Sequence, residues 1–179
     1  MDKIASRYAQ ALLNLGLETK LELQFKTELK QIEKIISDNP MFIDLFAKTQ
    51  ISNAEMKEMI DGLFKSNVNL YILNLFYLLL DKHRFYLLDE ICREYRHSVN
   101  KVLQIEEAIV YSVYPLKDSD MKALEKELSQ KHTMHVECEN RLDPTLIGGI
   151  KIVFNESVID GSLKAKLDEL KQSLHEERS

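Results

Sequence analysis

The spacing of apolar residues changes near residue 105, and this change constrains the fold more than any other feature of the sequence. Before it, apolar side chains recur every three to four residues, which is the period of an amphipathic helix. After it, β-branched and aromatic residues come in short alternating runs, which is the pattern of strands. We therefore predict a mainly α protein, with an N-terminal six-helix bundle over residues 1–105 followed by a small α/β domain over residues 106–179.

Six helical segments can be assigned before the change. They are expected at about residues 4–15, 18–37, 41–47, 52–64, 70–82 and 86–102. Gly16 is a plausible stop for the first segment, and Pro40 cannot continue the second. Ser52 and Glu55 form a capping-box pattern at the start of the fourth. The fifth segment is apolar nearly all round, which indicates either deep burial or a second face reserved for a partner.

The second part alternates strands and helices. Strands are expected over residues 106–113, 135–139 and 147–154, with residues 158–159 completing a hairpin, and helices over 119–130 and from 162 onward. Gly148 and Gly149 favour a bulge or a close backbone approach within a strand. Gly161 permits a positive φ, and Asp160 or Ser162 can cap the last helix. All five residues are therefore interpreted as structural.

Composition excludes several classes of function. The net charge of -5 comes from acidic and basic side chains mixed along the chain, whereas nucleic-acid binding needs a clustered basic face. Cys92 and Cys138 are the only cysteines, and their apolar or alternating surroundings predict reduced thiols. The N-terminus lacks the pattern of a signal peptide, and the most apolar run, 70–80, is too short to span a bilayer. Any membrane association is expected to come through partners.

Motifs for catalysis or cofactor binding are missing from the sequence. It contains no phosphate-binding loop, no dinucleotide-binding fingerprint and no nucleophile elbow. His135 and Cys138 suggest a metal site, but on a strand they point to opposite faces. Asp160, Ser162 and His175 suggest a hydrolytic trio, but the histidine lies more than three helical turns beyond the serine. We predict no catalytic residue, no metal and no cofactor.

Surplus apolar surface on the first and fifth helices suggests a binding groove. Tyr8 and Leu12 on the first helix, with Asn74, Tyr77 and Leu78 on the fifth, can line a groove for an amphipathic partner helix. The alternative is that all of them are core residues. Asn74 favours the groove, because an amide buried within an apolar run needs a hydrogen-bond partner.

Four segments of the sequence match the motifs of one known family. Residues 142–150 are LDPTLIGGI and residues 158–167 are VIDGSLKAKL, and together they resemble the C-terminal signature of the ATP synthase delta/OSCP family. Residues 7–12, RYAQAL, look like its first-helix motif, and residues 74–85, NLFYLLLDKHRF, look like its fifth-helix motif. The resemblance covers essentially the whole chain.

The sequence departs from the family pattern at a few positions. His83 and Asn155 stand where the family often has glycine, and Lys164 and Lys166 replace arginines that are common there. Asparagine tolerates a positive φ better than most residues, so the change at Asn155 is mild. The change at His83 bears on how the fifth helix ends. The two lysines weaken any expectation of bidentate contacts to anions.

The resemblance implies a non-catalytic peripheral-stalk, or stator, subunit of an F-type ATP synthase. Such a subunit links the catalytic head to the b-subunit stalk, so that proton-driven rotation is coupled to ATP synthesis. The N-terminal bundle is then expected to hold the N-terminal helix of an alpha subunit, and the C-terminal domain to contact the b subunits, at the cytoplasmic face of the cell membrane. Two alternatives remain open, a free-standing helical adaptor that docks an amphipathic peptide and a small hydrolase with an unrecognised site.

Overall fold

Helices come first along the chain and strands follow. The protein is represented by a computed structural model, which describes residues 3–39, 41–47, 51–154 and 157–167. Over these residues the first elements are α1 (Lys3–Thr19), α2 (Glu22–Asp38), α3 (Met41–Ala47), α4 (Asn53–Phe64), α5 (Leu70–Asp81), a 3-10 helix (Phe85–Leu87) and α6 (Leu88–Leu103). The prediction of a mainly helical chain with a small sheet at its C-terminal end is confirmed.

Backbone packing divides the chain after residue 100, within the last turn of α6. The first unit covers residues 1–100 and the second covers residues 101–179. Across the described parts of both units, no helix is at once long enough and apolar enough to cross a bilayer.

The start of α4 follows its local capping signal. Ser52 Oγ accepts a hydrogen bond from the backbone N–H of Glu55 at 3.3 Å, and the Glu55 carboxylate accepts one from the backbone N–H of Ser52 at 2.9 Å. This reciprocal pair is the predicted capping box, and it satisfies two N–H groups that have no partner within the helix. The hydrogen bonds from Ser52 also lower the pKa of the Glu55 carboxyl.

Gly16 does not end α1, which corrects both the predicted stop of the first helix and the predicted start of the second. The helix continues to Thr19, Lys20 takes a positive φ of 60°, and α2 begins at Glu22. Gly16 provides space instead, since a Cβ there would lie 3.1 Å from Glu22 Cα and 3.1 Å from Tyr95 Oη. The glycine lets the neighbouring helices approach closely, and the left-handed residue after Thr19 makes the turn.

A cluster of phenylalanines joins the middle helices of the first unit. Phe42 and Phe46 of α3 contact Phe85, with ring centroids 6.3 Å and 4.5 Å away. Phe76 of α5 contacts Phe64 and Phe85 at 5.3 Å and 6.0 Å. Tilted and edge-on ring pairs contribute about 0.5–1.5 kcal/mol each beyond their buried area. This packing stabilises α3, which at 7 residues is too short to be stable alone.

The second unit is a four-stranded sheet with one long helix. Its elements are β1 (Ile105–Ser112), α7 (Asp118–His132), β2 (His135–Leu142), a 3-10 helix (Pro144–Leu146), β3 (Ile150–Phe154) and β4 (Ser157–Asp160). The strand order is β2-β1-β3-β4, with β1 and β2 parallel and the other pairs antiparallel. A helical crossover is what a parallel pair requires, and α7 supplies it. The core holds Ala108, Val110, Leu128, Val136, Ile152 and Phe154.

β2 and β3 differ most in extent from the prediction, and β2 continues to Leu142 rather than ending at 139. β3 begins at Ile150 rather than at 147, because Ile147 and Gly149 have φ values of 65° and 76° and cannot continue a strand. The hairpin of β3 and β4 is confirmed by their antiparallel pairing, while Asn155 at its turn lies outside the described residues. The predicted last helix is present over residues 163–167, and its continuation lies outside the described residues.

Candidate partner-binding face

One face of α5 lies on the surface of the first unit. The helix buries Ile72, Leu73, Leu75, Phe76, Leu79 and Leu80. Its other side carries Leu70, Asn74 and Leu78, which are all exposed, Leu70 to 65% and Leu78 to 43%. Residues four apart lie nearly in line on a helix with about 3.6 residues per turn. We call Leu70, Asn74 and Leu78 the α5 stripe.

Contacts with α2 fix one side of α5. The Tyr71 ring meets the Phe25 ring of α2 edge on, with centroids 6.0 Å apart. The backbone N–H of Asn69 donates to Glu28 Oε2 at 2.6 Å, and the Asn69 side chain caps α5 by accepting from the N–H of Tyr71 at 3.0 Å. These contacts help to set the rotation of α5 about its own axis, and with it the outward direction of the α5 stripe.

Polar side chains join α5 to α4 on its other side. The Tyr77 hydroxyl donates to the Asp61 carboxylate, which also accepts from Lys65 at 3.0 Å. Lys57 binds Asp81 at 2.7 Å, and its Nζ lies 5.8 Å from the centroid of the Tyr77 ring. The hydrogen bonds from Tyr77 and Lys65 lower the pKa of Asp61, and the bond to Asp61 raises the pKa of Tyr77. The Tyr77 hydroxyl hydrogen is therefore already engaged within the unit.

Tyr8 and Leu12 of α1 lie in different environments. Leu12 is only 5% exposed and belongs to the core of the first unit. Tyr8 is half-buried, and its hydroxyl accepts a hydrogen bond from Arg84 Nη1 at 3.1 Å. Because Arg84 follows closely after the end of α5, this hydrogen bond links α1 to the C-terminal end of α5.

The five residues predicted to bind a partner therefore separate by burial. Asn74 and Leu78 are exposed, Tyr8 and Tyr77 are half-buried, and Leu12 is buried as the core alternative expects. Asn74 is exposed, so the prediction of a buried amide that needs a hydrogen-bond partner is wrong. Its exposed position nevertheless places an amide between two leucines at the centre of the α5 stripe.

Two glycine-containing segments of the second unit cross closely, and we call this crossing the clasp. The N–H of Leu163 donates to the Gly148 carbonyl and the N–H of Gly161 donates to the Ile150 carbonyl, both at 2.9 Å. A Cβ on Gly149 would lie 2.4 Å from the Gly161 carbonyl oxygen. Gly148 and Gly149 thus lie at a close backbone approach, just before β3 rather than within a strand.

A carboxylate and a serine complete the clasp. Asp160 Oδ1 accepts from the N–H of Ser162 at 2.9 Å, and Ser162 Oγ accepts from the N–H of Ala165 at 3.1 Å. The hydrogen bonds from Ser162 lower the pKa of the Asp160 carboxyl. Gly161 does not have a positive φ, which corrects the prediction. Its missing side chain matters for space, since a Cβ there would lie 3.3 Å from the Ile150 carbonyl oxygen.

Residues with reactive side chains lie apart or are already engaged. Cys138 packs against the core of the second unit, whereas His135 on the same strand is exposed. Burial, with Glu125 nearby, raises the pKa of the Cys138 thiol to about 11. Ser162 is buried and uses its hydroxyl as a helix cap, while His175 lies outside the described residues. Across the part of the chain that the structure describes, no group of three or more His, Cys, Asp or Glu side chains could hold a metal ion.

Arg84, Asp61 and Lys57 contact the side chains that flank this face, and none of them is among the predicted partner-binding residues. Arg84 stands within the segment 74–85 that resembles a fifth-helix motif, directly after the helix end. Lys57 and Asp61 are four residues apart on α4, so they share one edge of that helix. Charged residues at helical spacing beside an unusually apolar helix were the available signal.

Comparison with known proteins gives one consistent relationship. The family model described as ATP synthase delta (OSCP) subunit matches residues 4–174. The ATP synthase subunit delta of Alkaliphilus oremlandii is 30% identical over 171 residues, which cover 96% of this chain and 95% of the relative. That of Clostridioides difficile is 32% identical over 174 residues, which cover 97% and 96%.

The fold has a counterpart among solved structures. A chain of the Toxoplasma gondii mitochondrial ATP synthase hexamer, determined by cryo-EM, matches with a TM-score of 0.61, covering 97% of this chain and 98% of that chain. The two sequences are 14% identical, so this match is evidence for the fold alone.

Proposed function

Because this chain belongs to the ATP synthase delta (OSCP) subunit family, we propose that it is the non-catalytic stator subunit of an F-type ATP synthase. In this role it links the catalytic head to the b-subunit stalk, so that proton-driven rotation is coupled to ATP synthesis. The observation that carries the proposal is the α5 stripe, an exposed and mainly apolar line on a helix that is held from both sides. Such a surface is suited to binding another helix.

The first module, residues 1–105, holds the N-terminal helix of the alpha subunit, and its six helices act as one bundle. The α5 stripe forms the centre of the contact, Tyr8 and Tyr77 lie at its edges, and Leu12 supports α1 from the core. An amphipathic helix laid along the stripe would cover two leucines that are 65% and 43% exposed. Complete burial of a leucine contributes about 1.5–3 kcal/mol, so partial burial of both favours binding substantially.

The second module, residues 106–179, contacts the b subunits. Exposed apolar side chains beside the clasp support this assignment, with Ile147 exposed to 65% and Leu163 to 48%. Leu163 packs tightly over Gly148, where a Cβ would lie 2.7 Å from Leu163 Cδ1. An apolar surface on a firmly held backbone loses little conformational freedom when a stalk helix docks on it.

The proposed subunit reaches the membrane only through the complex, at the cytoplasmic face of the cell membrane. The proposed subunit works by binding other subunits, and this role needs no active site and no cofactor. Nucleic acid is not among the proposed partners, because the net charge of -5 is distributed as mixed acidic and basic residues. Two contacts on one chain also strengthen attachment, because binding at one site raises the effective concentration at the other.

Calorimetric titration tests the first contact. The full chain is titrated with a synthetic peptide that copies the N-terminal helix of the alpha subunit encoded in the same genome. We expect saturable binding in the micromolar range or tighter. A folded chain that does not bind this peptide would favour the free-standing adaptor instead.

Reconstitution tests the whole role. Membranes stripped of the catalytic head and of this subunit are mixed with purified heads, with and without the chain. We expect heads to reattach only when the chain is present. Heads that stay detached in the presence of the folded chain, or turnover of a substrate by the pure chain, would contradict the stator function.

A further inference from the structure

We propose that Arg84 selects the partner helix by pairing with a carboxylate on it. This inference rests on the proposed function, because it concerns the same helix-binding face. Arg84 lies just beyond the C-terminal end of α5, where the α5 stripe also ends, and its side chain is half-buried. The apolar stripe supplies contact area, whereas a charged group at its end can discriminate between helices of similar apolar character.

Backbone hydrogen bonds hold Arg84 in place. Its N–H donates to the Leu79 carbonyl at 2.7 Å, across His83, which takes a positive φ of 53°. Its own carbonyl accepts from the N–H of Leu87 at 3.0 Å, at the start of the 3-10 helix. The first bond belongs to the pattern that closes helix C-termini around a left-handed residue. Because both backbone groups are hydrogen-bonded, the backbone that carries the Arg84 side chain is held in place.

The partner of the Arg84 guanidinium within the described residues is neutral. Nη1 donates to the Tyr8 hydroxyl at 3.1 Å. A guanidinium carries several N–H donors in a planar fork, so this one bond leaves donors and the full positive charge uncompensated. No ion pair of Arg84 occurs among the residues that the structure describes, whereas Arg93, Arg96 and Arg141 each bind a carboxylate.

Neighbouring groups do not cancel the charge of Arg84. Asp81 is the nearest carboxylate along the chain, and it binds Lys57 of α4 at 2.7 Å. Lys82 is exposed and adds positive charge beside the site. Lys82 and Arg84, which follow the end of α5, therefore add positive charge there, and this charge complements an acidic side chain on the partner helix.

Docking of a helix would remove water from the Arg84 guanidinium. An arginine that becomes buried without a carboxylate is costly, while an arginine–carboxylate pair forms strong, directional hydrogen bonds. The Tyr8 hydroxyl restrains the guanidinium before the partner arrives, which reduces the side-chain entropy lost on binding. The structure thus favours an amphipathic partner helix that carries an Asp or Glu at the end of its apolar face.

A double-mutant cycle tests the inference. Arg84→Gln in the full chain is combined with alpha-subunit N-terminal peptides in which each Asp or Glu is changed in turn to its amide. We expect Arg84→Gln to weaken binding of the unmodified peptide about 10-fold or more, as for loss of a hydrogen bond to a charged group. One amide peptide should bind the wild-type chain more weakly than the unmodified peptide does, by a similar factor. The Arg84→Gln chain should bind that amide peptide and the unmodified peptide with equal affinity.

Matched variants separate this pairing from general effects. Arg93→Gln is the control, because Arg93 is an exposed arginine already paired with Asp89 on α6. The Arg93→Gln chain should bind the unmodified peptide as tightly as the wild type. Tyr8→Phe removes only the hydroxyl and should weaken binding by a smaller factor. Arg84→Lys keeps the charge without the planar fork and should fall between wild type and Arg84→Gln. It also replaces Arg84→Gln in the cycle if thermal unfolding shows that the latter does not fold.

The outcomes distinguish this inference from the proposed function. Wild-type affinity in folded Arg84→Gln, or losses that simply add for every amide peptide, would overturn the pairing while leaving the stator function in place. Failure of the wild-type chain to bind the unmodified peptide would overturn both.

Discussion

The Tyr95 hydroxyl on α6 donates a hydrogen bond to the backbone carbonyl of Glu22, the first residue of α2, at 3.0 Å. Tyr95 is fully buried, and burial raises its pKa. Gly16 of α1 lies against the same hydroxyl, since a Cβ there would be 3.1 Å from Tyr95 Oη. The Tyr95 hydroxyl thus joins α6 to the consecutive helices α1 and α2, which are distant from α6 along the chain.

Tyr95→Phe should lower the free energy of unfolding by about 1 kcal/mol, because it removes one buried hydrogen bond and keeps the ring. Urea unfolding followed by circular dichroism measures the difference. Tyr114→Phe is the matched control, because Tyr114 is 78% exposed and its change should stay within about 0.5 kcal/mol of the wild type. Equal stability of both variants would show that the bond to Glu22 contributes little.

Gly149→Ala should destabilise the second unit by about 2–4 kcal/mol. The φ of Gly149 is 76°, and the added Cβ would lie 2.4 Å from the Gly161 carbonyl oxygen, so the clasp must open. Gly62→Ala is the control, because nothing lies within 4 Å of a Cβ there and alanine favours the helix α4 by about 0.5–1 kcal/mol. In denaturant unfolding, the free energy of unfolding should therefore fall for Gly149→Ala and rise for Gly62→Ala. A change in the same direction for both variants would contradict the close approach at the clasp.

Leu78→Ala and Leu79→Ala should separate binding from folding at adjacent positions. Leu79 is fully buried, so its truncation should cost about 2–5 kcal/mol of stability. Leu78 is 43% exposed, so its truncation should cost less than about 1 kcal/mol but weaken binding of the alpha-subunit peptide severalfold. Thermal unfolding and peptide titration measure the two effects. A Leu78→Ala chain that unfolds as readily as Leu79→Ala would place Leu78 in the core.

Asp61→Asn should destabilise the chain at neutral pH and lose its effect in acid. The hydrogen bonds from Tyr77 and Lys65 lower the pKa of Asp61. A lowered folded-state pKa contributes stability above the unfolded-state pKa of about 4, and that contribution is lost as the pH falls through the folded-state pKa. Denaturant unfolding of both proteins across this range measures the difference, and a constant difference would show that ionisation of Asp61 is not linked to folding.

The contribution of Tyr77 to stability is lost at alkaline pH, whereas that of Asp61 is lost in acid. The pKa of Tyr77 is raised by the bond to Asp61, so its contribution is present below the ordinary pKa of about 10 and lost as the pH rises through the folded-state value. Tyr77→Phe should therefore differ from the wild type at neutral pH and approach it in strong alkali. Alkaline unfolding curves of the two proteins give the comparison.

Elements whose signals lie within a few residues could be predicted from the sequence. The start of α4 depends on Ser52 and Glu55, which are three residues apart, and their hydrogen bonds form as expected. The end of α1 could not be predicted in this way. A glycine such as Gly16 ends a helix or sits within one according to what packs against it, and the neighbours here come from α2 and α6.

The candidate face shows the same limit. Because α5 is apolar nearly all round, the sequence does not distinguish Leu78, which is exposed, from Leu79, which is buried. Contacts of Tyr71 with α2 and of Tyr77 with α4 hold the helix in the orientation that makes this difference. The exposure of Asn74 follows from the same rotation.

By itself, the sequence determined the change from helices to strands, the capped start of α4 and the family to which the chain belongs, because apolar period, capping and motifs are properties of neighbouring residues. The tertiary structure decided which side of α5 faces outward, which neighbours pack closely against Gly16 and Gly161, and how Tyr8 meets Arg84 across 76 residues of sequence. Those outcomes depend on contacts between distant segments, which form only when the helices pack.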